Sequence, residues 1–212
     1  TIPNCKAYAP AFAGEMAGIV HHGMKEMLAD QRDVFYYVTL MNENYAQPDV
    51  PSGSESDLVR GCYRFATIEP VVGKKAGRVT LLGSGAILTE VLKAADLLAA
   101  EGIGCDVFSV TSWSELARDG IAREQEALAG EKPAAPFVTK QLSTSVGPII
   151  AATDYVRAVP DSIRAFVPAG RRYLTLGTDG FGRSDTRAAL REFFHVNAAH
   201  IANAARYALG QA

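Results

Sequence analysis

Two polar segments hold the side chains best suited to bind or react with a ligand, and each follows a run of strand-forming residues. The first, after the run 34–41, consists of Asn42, Glu43, Asn44 and Tyr45. The second, in a glycine-rich loop after the run 173–176, contains Asp179, Arg183, Ser184 and Asp185. Because α/β proteins bind ligands at the carboxyl ends of their strands, both segments are candidate sites, the second for an anion or a substrate. The same residue types also stabilise turns and helix caps, so a structural interpretation stays open for both.

A third candidate is the Gly-Ser-Gly turn at 83–85, which lies between a strand-like run and a helical pattern. The dinucleotide-binding fingerprint G-x-G-x-x-G would require a third glycine, but this position is Leu88. The next strand also ends in Ser-Val-Thr at 109–111 rather than in a carboxylate. We therefore interpret the turn as a tight connection between strand and helix that binds nothing.

The histidines and cysteines do not predict a metal site or a catalytic site. His21 and His22 are adjacent on a predicted helix and point about 100° apart. His195 and His200 are five positions apart and are predicted not to face each other. The three widely spaced cysteines form no C-x-x-C pair, as expected for reduced thiols in a cytoplasmic protein: Cys5, Cys62 and Cys105. With no G-x-S-x-G, P-loop or H-E-x-x-H motif either, the residues alone predict no self-contained active site.

The overall composition limits the possible partners. The chain has 212 residues, 48% of them hydrophobic, which is enough for the core of one full domain. Its formal net charge of −2 provides no basic surface for nucleic acid and no polybasic membrane anchor. No window contains the roughly 20 apolar residues that a membrane span needs. We therefore predict a soluble protein with neither a nucleic acid nor a membrane partner.

The order of the predicted elements indicates an α/β fold. Four runs are predicted as strands of a doubly wound, parallel-rich sheet: 79–82, 105–109, 137–141 and 173–176. The run 63–68 is predicted to pair at the sheet edge beside 79–82, and the apolar run 149–153 precedes a predicted helix at 155–167. Further helices are predicted at 87–100, at 114–119 and 121–129 on either side of Gly120, at 186–194 with Ser184 or Asp185 as cap, and at 198–209 with Asn197 as cap.

The first 48 residues contain too few elements for a domain of their own. We predict one amphipathic helix over 12–28 and one strand over 34–41, the strand being apolar enough to be covered on both faces. A linker-like composition at 47–54 marks the predicted domain boundary. Because this unit is too apolar to stay exposed, we expect the chain to dimerise through residues 12–41.

Five segments together resemble the C-terminal part of the homodimeric bacterial pyruvate dehydrogenase family, the decarboxylating first component of the pyruvate dehydrogenase complex. The segments are Asn-Glu-Asn-Tyr at 42–45, Leu-Gly-Ser-Gly at 82–85, Ser-Val-Thr-Ser at 109–112 with Glu-Leu-Ala-Arg-Asp-Gly at 115–120, Ser-Val-Gly-Pro-Ile-Ile-Ala-Ala-Thr-Asp-Tyr at 145–155, and Leu-Gly-Thr-Asp-Gly-Phe-Gly-Arg-Ser-Asp-Thr-Arg at 176–187. Their order and spacing carry the resemblance from Thr1 almost to Ala212. The last segment is its strongest marker.

The resemblance implies a transketolase-like enzyme with thiamin diphosphate and magnesium as cofactors. Residues 1–48 would be the tail of the pyrimidine-binding domain, contributing its last helix and strand. Residues 49–212 would be a transketolase C-terminal-like domain, a three-layer α/β structure. The family's activating glutamate and its diphosphate and magnesium ligands would lie outside this chain. The resemblance therefore implies no catalytic, cofactor-binding or metal-binding residue here, and no cofactor on this chain alone.

The resemblance also implies an activity and partners for the longer protein. The family decarboxylates pyruvate and reductively acetylates lipoyl groups of the acetyltransferase component, linking glycolysis to acetyl-CoA. It acts as a cytoplasmic homodimer, in which this chain would be structural and dimerising.

Some relatives have a histidine where this sequence has Ala46. The chain begins with Thr1 rather than methionine, and we expect it to be a fragment. Another transketolase-like enzyme and a non-catalytic α/β interaction module remain the alternatives.

Overall fold

The computed structural model describes residues 2–71 and 77–211, so the ends of the two predicted domains, Thr1 and Ala212, lie outside the described residues. The elements follow in the order β1 Cys5–Tyr8, α1 Ala13–Met24, β2 Phe35–Val38, α2 Glu55–Val59, β3 Tyr63–Ile68, β4 Gly77–Gly83, α3 Ile87–Ala100, β5 Ile103–Ser109, α4 Trp113–Leu128, α5 Phe137–Leu142, β6 Ile149–Ala152, α6 Ala158–Asp161, β7 Tyr173–Leu176, α7 Arg187–Phe193 and α8 Ala198–Leu209. A π-helical turn over Lys25–Ala29 extends α1, and a 3₁₀ turn over Arg164–Phe166 follows α6.

The main sheet has five strands in the order β3-β5-β4-β6-β7. Strands β5, β4, β6 and β7 are parallel, whereas β3 pairs with β5 in the antiparallel direction at one edge. The predicted parallel-rich α/β sheet is thus confirmed. The predicted strand at 63–68 does lie at an edge, but its neighbour is β5 rather than the strand over 79–82.

Alternating side chains of the sheet fill two hydrophobic cores, one on each face. Val79 and Leu81 of β4 belong to the core under α3 and α8. Leu82 of the same strand belongs to the opposite core with Trp113 of α4 and Phe137 of α5. Because successive residues of a strand point to opposite faces, the near-continuous apolar sequence of β4 is buried on both sides. The result is a three-layer domain with helices on both faces of the sheet.

Several of the predicted elements are wrong in type or extent. Residues 137–141, predicted as a strand, belong to helix α5, and the sheet position is taken by β6, the apolar run at 149–153. The two helices predicted on either side of Gly120 are the single helix α4, because Gly120 packs directly under the ring of Phe166 and the helix continues through it. The helix predicted over 155–167 is broken into α6 and the 3₁₀ turn. Pro160 stands inside α6, where a proline lacks the N–H that a longer helix requires.

Residues 2–38 form a small parallel unit that packs against the main domain. Strands β1 and β2 pair in parallel, connected through α1, so this unit contains one strand more than predicted. Tyr8 and Ile19 share a core with Leu58 and Tyr63 of the main domain. Strand β2 is shorter than predicted and is not covered on both faces, since Phe35 and Tyr37 are exposed on one of them.

In the described residues no helix is long and apolar enough to cross a membrane.

Candidate functional site

The strand order creates a crevice at the carboxyl ends of β4 and β6. From β4 the chain passes through α3 to β5 on one side, whereas from β6 it passes through α6 to β7 on the other side. Such a switch in direction leaves an open crevice between the two strand ends, where open α/β sheets bind ligands. The floor is closed by a hydrogen bond of 2.9 Å between Ser84 Oγ after β4 and Thr153 Oγ1 after β6. The Gly-Ser-Gly turn thus helps to build the crevice.

A cleft of about 370 Å³ opens beside this switch point. Its lining is partly apolar, with Ile87, Leu190 and Phe194 among its residues, and partly charged, with Asp154, Arg183, Arg187 and Arg191. A second hollow of about 220 Å³ also contains Asp154 together with Met41 and Gly85. Of the two predicted polar segments, the second contributes Arg183 to the lining of the cleft of about 370 Å³, whereas the first is represented only by Met41, the residue that precedes it.

The first candidate segment is bound to helix α7. Glu43 accepts two hydrogen bonds from the Arg191 guanidinium, at 3.1 and 2.5 Å, and Arg187 donates to the backbone carbonyl of Asn42. Tyr45 donates its hydroxyl to the Ala11 carbonyl at 2.5 Å. These contacts anchor the segment that leads from the N-terminal unit to the main domain. The charge of Glu43 is thus already paired with the arginines of α7. A ligand role for the segment stays a prediction.

Asn44 and Ser184 are both exposed, and neither makes a hydrogen bond within the described parts of the chain. The two aspartates of the second segment, Asp179 and Asp185, accept hydrogen bonds from the protein. Asp179 accepts from the backbone N–H and the Nε of Arg157 at 2.8 and 2.5 Å, which lowers the pKa of its carboxyl group. Asp185 accepts from the N–H of Thr186 at 2.7 Å.

The N-cap of helix α7 differs from the one predicted. The N-cap is Thr186, whose hydroxyl accepts from the N–H of Ala189, rather than Ser184 or Asp185. A threonine hydroxyl three residues before that N–H satisfies a donor that the first helical turn leaves free. The predicted Asn197 cap of α8 is confirmed, since its side chain accepts from the N–H of His200 at 3.0 Å.

Arg183 differs from its neighbours because its charge is not paired. Within residues 2–71 and 77–211 it has no carboxylate partner, and its guanidinium lies over the ring of Phe193, 5.2 Å from the centroid. A cation at the face of an aromatic ring is held in place without being neutralised. Of the eight candidate residues, Arg183 therefore has the charge best placed to meet a ligand in the cleft.

Asp154 is a cleft residue that sequence reasoning missed. Burial raises the pKa of its carboxyl group, and Glu43 acts in the same direction, whereas its own backbone N–H and Arg191 oppose them. The available signal was its position, because it follows the apolar run 149–153 just as the two candidate segments follow their strands. A carboxyl group that retains its proton more readily can donate a hydrogen bond as well as accept one.

The prediction that His195 and His200 do not face each other is wrong. Their rings are stacked with centroids 4.3 Å apart. His195 has a φ of 58° and lies in the turn between α7 and α8, so the spacing rule of a continuous helix does not apply to the pair. His200 Nδ1 lies 2.7 Å from the Asn197 side-chain oxygen, which fixes one ring in this turn.

Side chains that commonly bind metal ions are not clustered in the described residues. These residues bring together no group of three or more His, Cys, Asp or Glu side chains that could hold a metal ion. The cysteines are free thiols, and burial raises the pKa of Cys105 to about 12, which disfavours the thiolate form.

The fold and the cleft define a transketolase-like C-terminal domain. Residues 61–197 match the family model described as the transketolase-like TK C-terminal domain, and residues 1–48 match the pyruvate dehydrogenase E1 component middle domain. The chain belongs to the transketolase-like C-terminal domain family.

Similar proteins specify the relationship further. Relatives named pyruvate dehydrogenase E1 component are 49% identical over 98% of this chain in Cupriavidus necator and 47% identical over 99% in Pseudomonas aeruginosa. The relative from Escherichia coli K12 is 46% identical over 97% of this chain. The chain is homologous to the pyruvate dehydrogenase E1 component and spans 23 to 24% of the length of these three relatives.

Solved transketolases share the fold. A Pichia stipitis transketolase in complex with sedoheptulose-7-phosphate matches 98% of this chain and 25% of its own, with a TM-score of 0.63 and 16% identity. A split-gene transketolase, described as an inactive beta4 tetramer, covers all of this chain and 59% of its own, with a TM-score of 0.57 and 17% identity. At these identities the likeness concerns the fold alone, and it confirms the predicted transketolase C-terminal type.

Proposed function

We propose that this chain forms the C-terminal part of a thiamin-diphosphate-dependent pyruvate dehydrogenase. The observation that supports this most strongly is the 46 to 49% identity to pyruvate dehydrogenase E1 components over almost the whole chain. In the full-length protein, pyruvate is decarboxylated on thiamin diphosphate with magnesium, and the acetyl group passes to a lipoyl group of the acetyltransferase component. The protein works in the cytoplasm as a homodimer.

Within that enzyme the chain has a structural role. Residues 1–48 complete the pyrimidine-binding domain, and residues 49–212 form the transketolase C-terminal-like domain. Two observations support this division. Separate family models match at 1–48 and at 61–197, and the N-terminal unit of β1, α1 and β2 has its own two-stranded sheet. The segment 42–45, bound to α7, joins the two parts.

The proposed activity is tested with the full-length protein that contains this chain. We expect it to reduce lipoyl groups with pyruvate in the presence of thiamin diphosphate and magnesium, and to be far less active with branched oxo acids or ketose phosphates. Turnover of ketose phosphates in place of pyruvate would assign the protein to the transketolases. The absence of every such activity in a folded, cofactor-loaded protein would favour an interaction module.

The 212-residue chain alone is expected not to bind the cofactor. The described residues offer no cluster of oxygen ligands for a magnesium diphosphate, and this chemistry would come from preceding domains. Titration calorimetry with thiamin diphosphate and magnesium should give no saturable heat. Micromolar binding by the isolated chain would contradict the assignment of the cofactor to other parts of the protein.

A further inference from the structure

The cleft beside the β4–β6 switch point has no role in the proposed function, which places the chemistry outside this chain. It is a hollow of about 370 Å³ at the place where the strand order opens an α/β sheet to ligands. Small-molecule sites are typically pockets of about 300 to 1,000 Å³ with a mainly apolar lining and a few polar groups. The cleft meets both conditions.

The charges around the cleft leave one cation available. Arg191 is paired with Glu43 at 2.5 Å and also lies 3.5 Å from Glu90. Arg187 donates to the Asn42 carbonyl and lies 3.8 Å from Glu43. Arg183 has neither a hydrogen-bond nor an ion-pair partner among the described residues, and its guanidinium lies over the ring of Phe193. The site therefore has room for one further negative charge at its Arg183 side.

The other residues that line the cleft indicate what kind of ligand would fit, both its uncharged part and its anionic group. Ile87, Leu190 and Phe194 offer an apolar wall, which favours a hydrocarbon or aromatic body. A phosphate monoester carries a charge of about −1.5 to −2 at pH 7. That charge would exceed what Arg183 compensates, and it would lie in a cleft that also contains Asp154. A carboxylate has a single charge and matches the planar guanidinium fork.

We propose that this cleft binds a small organic monocarboxylate with an apolar body. Its carboxylate pairs with Arg183, and its body packs against Ile87, Leu190 and Phe194. Asp154 and Thr178 also line the cleft. The Thr178 hydroxyl donates to the backbone carbonyl of Asp154 at 2.6 Å, which leaves the Asp154 side chain as the group that hydrogen-bonds to a polar group of the ligand. This site goes beyond the proposed function and does not depend on it, because it lies wholly within the described residues of this chain.

The test is titration calorimetry of the 212-residue chain with 4-phenylbutyrate. Two further probes separate the contributions: 4-phenylbutan-1-ol has the same body without the charge, and inorganic phosphate has charge without a body. We expect saturable binding of 4-phenylbutyrate, binding of the alcohol weakened about tenfold, and no measurable binding of phosphate.

Variants locate the site. Arg183→Gln should weaken 4-phenylbutyrate binding about tenfold by removing the unpaired charge. Leu190→Glu should abolish it by placing a carboxylate on the apolar wall. The matched control is Arg172→Gln, because Arg172 also lies over an aromatic ring, that of Tyr207 at 4.1 Å, but does not line the cleft.

Three results would overturn the proposal. The first is the absence of saturable binding in the folded parent chain. The second is equal affinity for 4-phenylbutyrate and its alcohol, which would remove the role of the charge. The third is an equal effect of Arg183→Gln and Arg172→Gln, or no effect of either, which would place the ligand elsewhere. Circular dichroism of each variant establishes that it is folded before its affinity is compared.

Discussion

Glu15→Ala is expected to lower the free energy of unfolding by about 3–4 kcal/mol. The Glu15 side chain is completely buried at the junction between α1 and the main domain. One carboxylate oxygen accepts from the backbone N–H groups of Ala11 and Phe12, at 2.5 and 3.2 Å. The other accepts from the hydroxyls of Tyr63 and Ser109, at 2.7 and 2.5 Å. Alanine leaves all four donors without this acceptor.

The size of the effect follows from what the donors can do instead. A buried donor that loses its partner costs about 1–3 kcal/mol, and the two backbone groups at the start of α1 cannot rotate towards another acceptor. Tyr63 stays a donor because burial, and next the Glu15 carboxylate, raise the pKa of its hydroxyl. Part of the loss is recovered as the hydroxyls reorient or water enters, so the total is smaller than the sum of four single losses.

Glu15→Gln separates the hydrogen bonds from the charge. The amide oxygen can still accept from Ala11 and Phe12, while its NH₂ group faces the Tyr63 and Ser109 hydroxyls, which can turn to accept. We therefore expect a loss below about 1 kcal/mol for the glutamine variant. Glu124→Ala, at an exposed position of α4, is the control for removing a helical glutamate. Urea unfolding of the three variants provides the measurement, and equal losses for alanine and glutamine would contradict this account of the junction.

The sequence predicts helices and strands best where the pattern of apolar residues in a segment agrees with the burial of that segment in the fold. Strand β7, at Tyr173–Leu176, and helix α3, at Ile87–Ala100, have the predicted bounds, and β4 and β5 contain the predicted runs. Helix α3 repeats its apolar residues with the helical period, the strands are short runs rich in strand-forming residues, and each segment is stopped by glycine or a polar loop. The candidate segments also lie at strand ends as expected, since a strand's carboxyl end can be recognised from the strand alone.

The predicted secondary structure was wrong where tertiary contacts determine whether a segment forms a helix or a strand. The segment 137–141 has the β-forming residues Phe, Val and Thr at its start, yet it is helical because Asp119 accepts from the N–H of Phe137 and the opposite core buries Phe137, Val138 and Leu142. The short run at 149–152 enters the sheet instead, between β4 and β7. Nothing local distinguishes the two segments, since the choice depends on which of them reaches the gap in the sheet.

The functional residues were less predictable for the same reason. Glu15 serves a junction whose other donors, Tyr63 and Ser109, are 48 and 94 positions away in the chain. The convergence of Arg183 with Met41 on one cleft likewise depends on the packing of α7 against the segment 42–45. A single sequence indicates which residues are able to do chemistry, but it does not indicate which distant residues surround them.

The face formed by α1 and β2 is expected to hold two copies of the chain together. The packing of Tyr8 and Ile19 on the main domain covers only one side of the N-terminal unit. Met24 and Leu28 remain 57% and 64% exposed, beside an apolar groove of about 230 Å³. Because a two-fold interface uses the same patch on both partners, this groove can receive the matching side chains of a second copy.

Deleting residues 1–48 would not test this dimer cleanly, since the deletion also removes Glu15 and uncovers Tyr63 in the main domain. The double variant Met24→Glu/Leu28→Glu changes only the exposed face. We expect the parent chain to sediment as a dimer at tens of micromolar, and the double variant to weaken association on the order of a hundredfold or more. Four carboxylates would meet across the two-fold axis, where each must also be desolvated.

Leu128→Glu is the matched control, because Leu128 is 83% exposed at the end of α4 and does not line the groove. This variant should sediment as the parent chain does, which separates loss of the interface from a general effect of added negative charge. A parent chain that remains monomeric up to hundreds of micromolar would refute the dimer through residues 12–41. A dimer that survives in Met24→Glu/Leu28→Glu but dissociates in Leu128→Glu would instead locate the interface on the C-terminal domain, where α4 carries its own exposed apolar side chains.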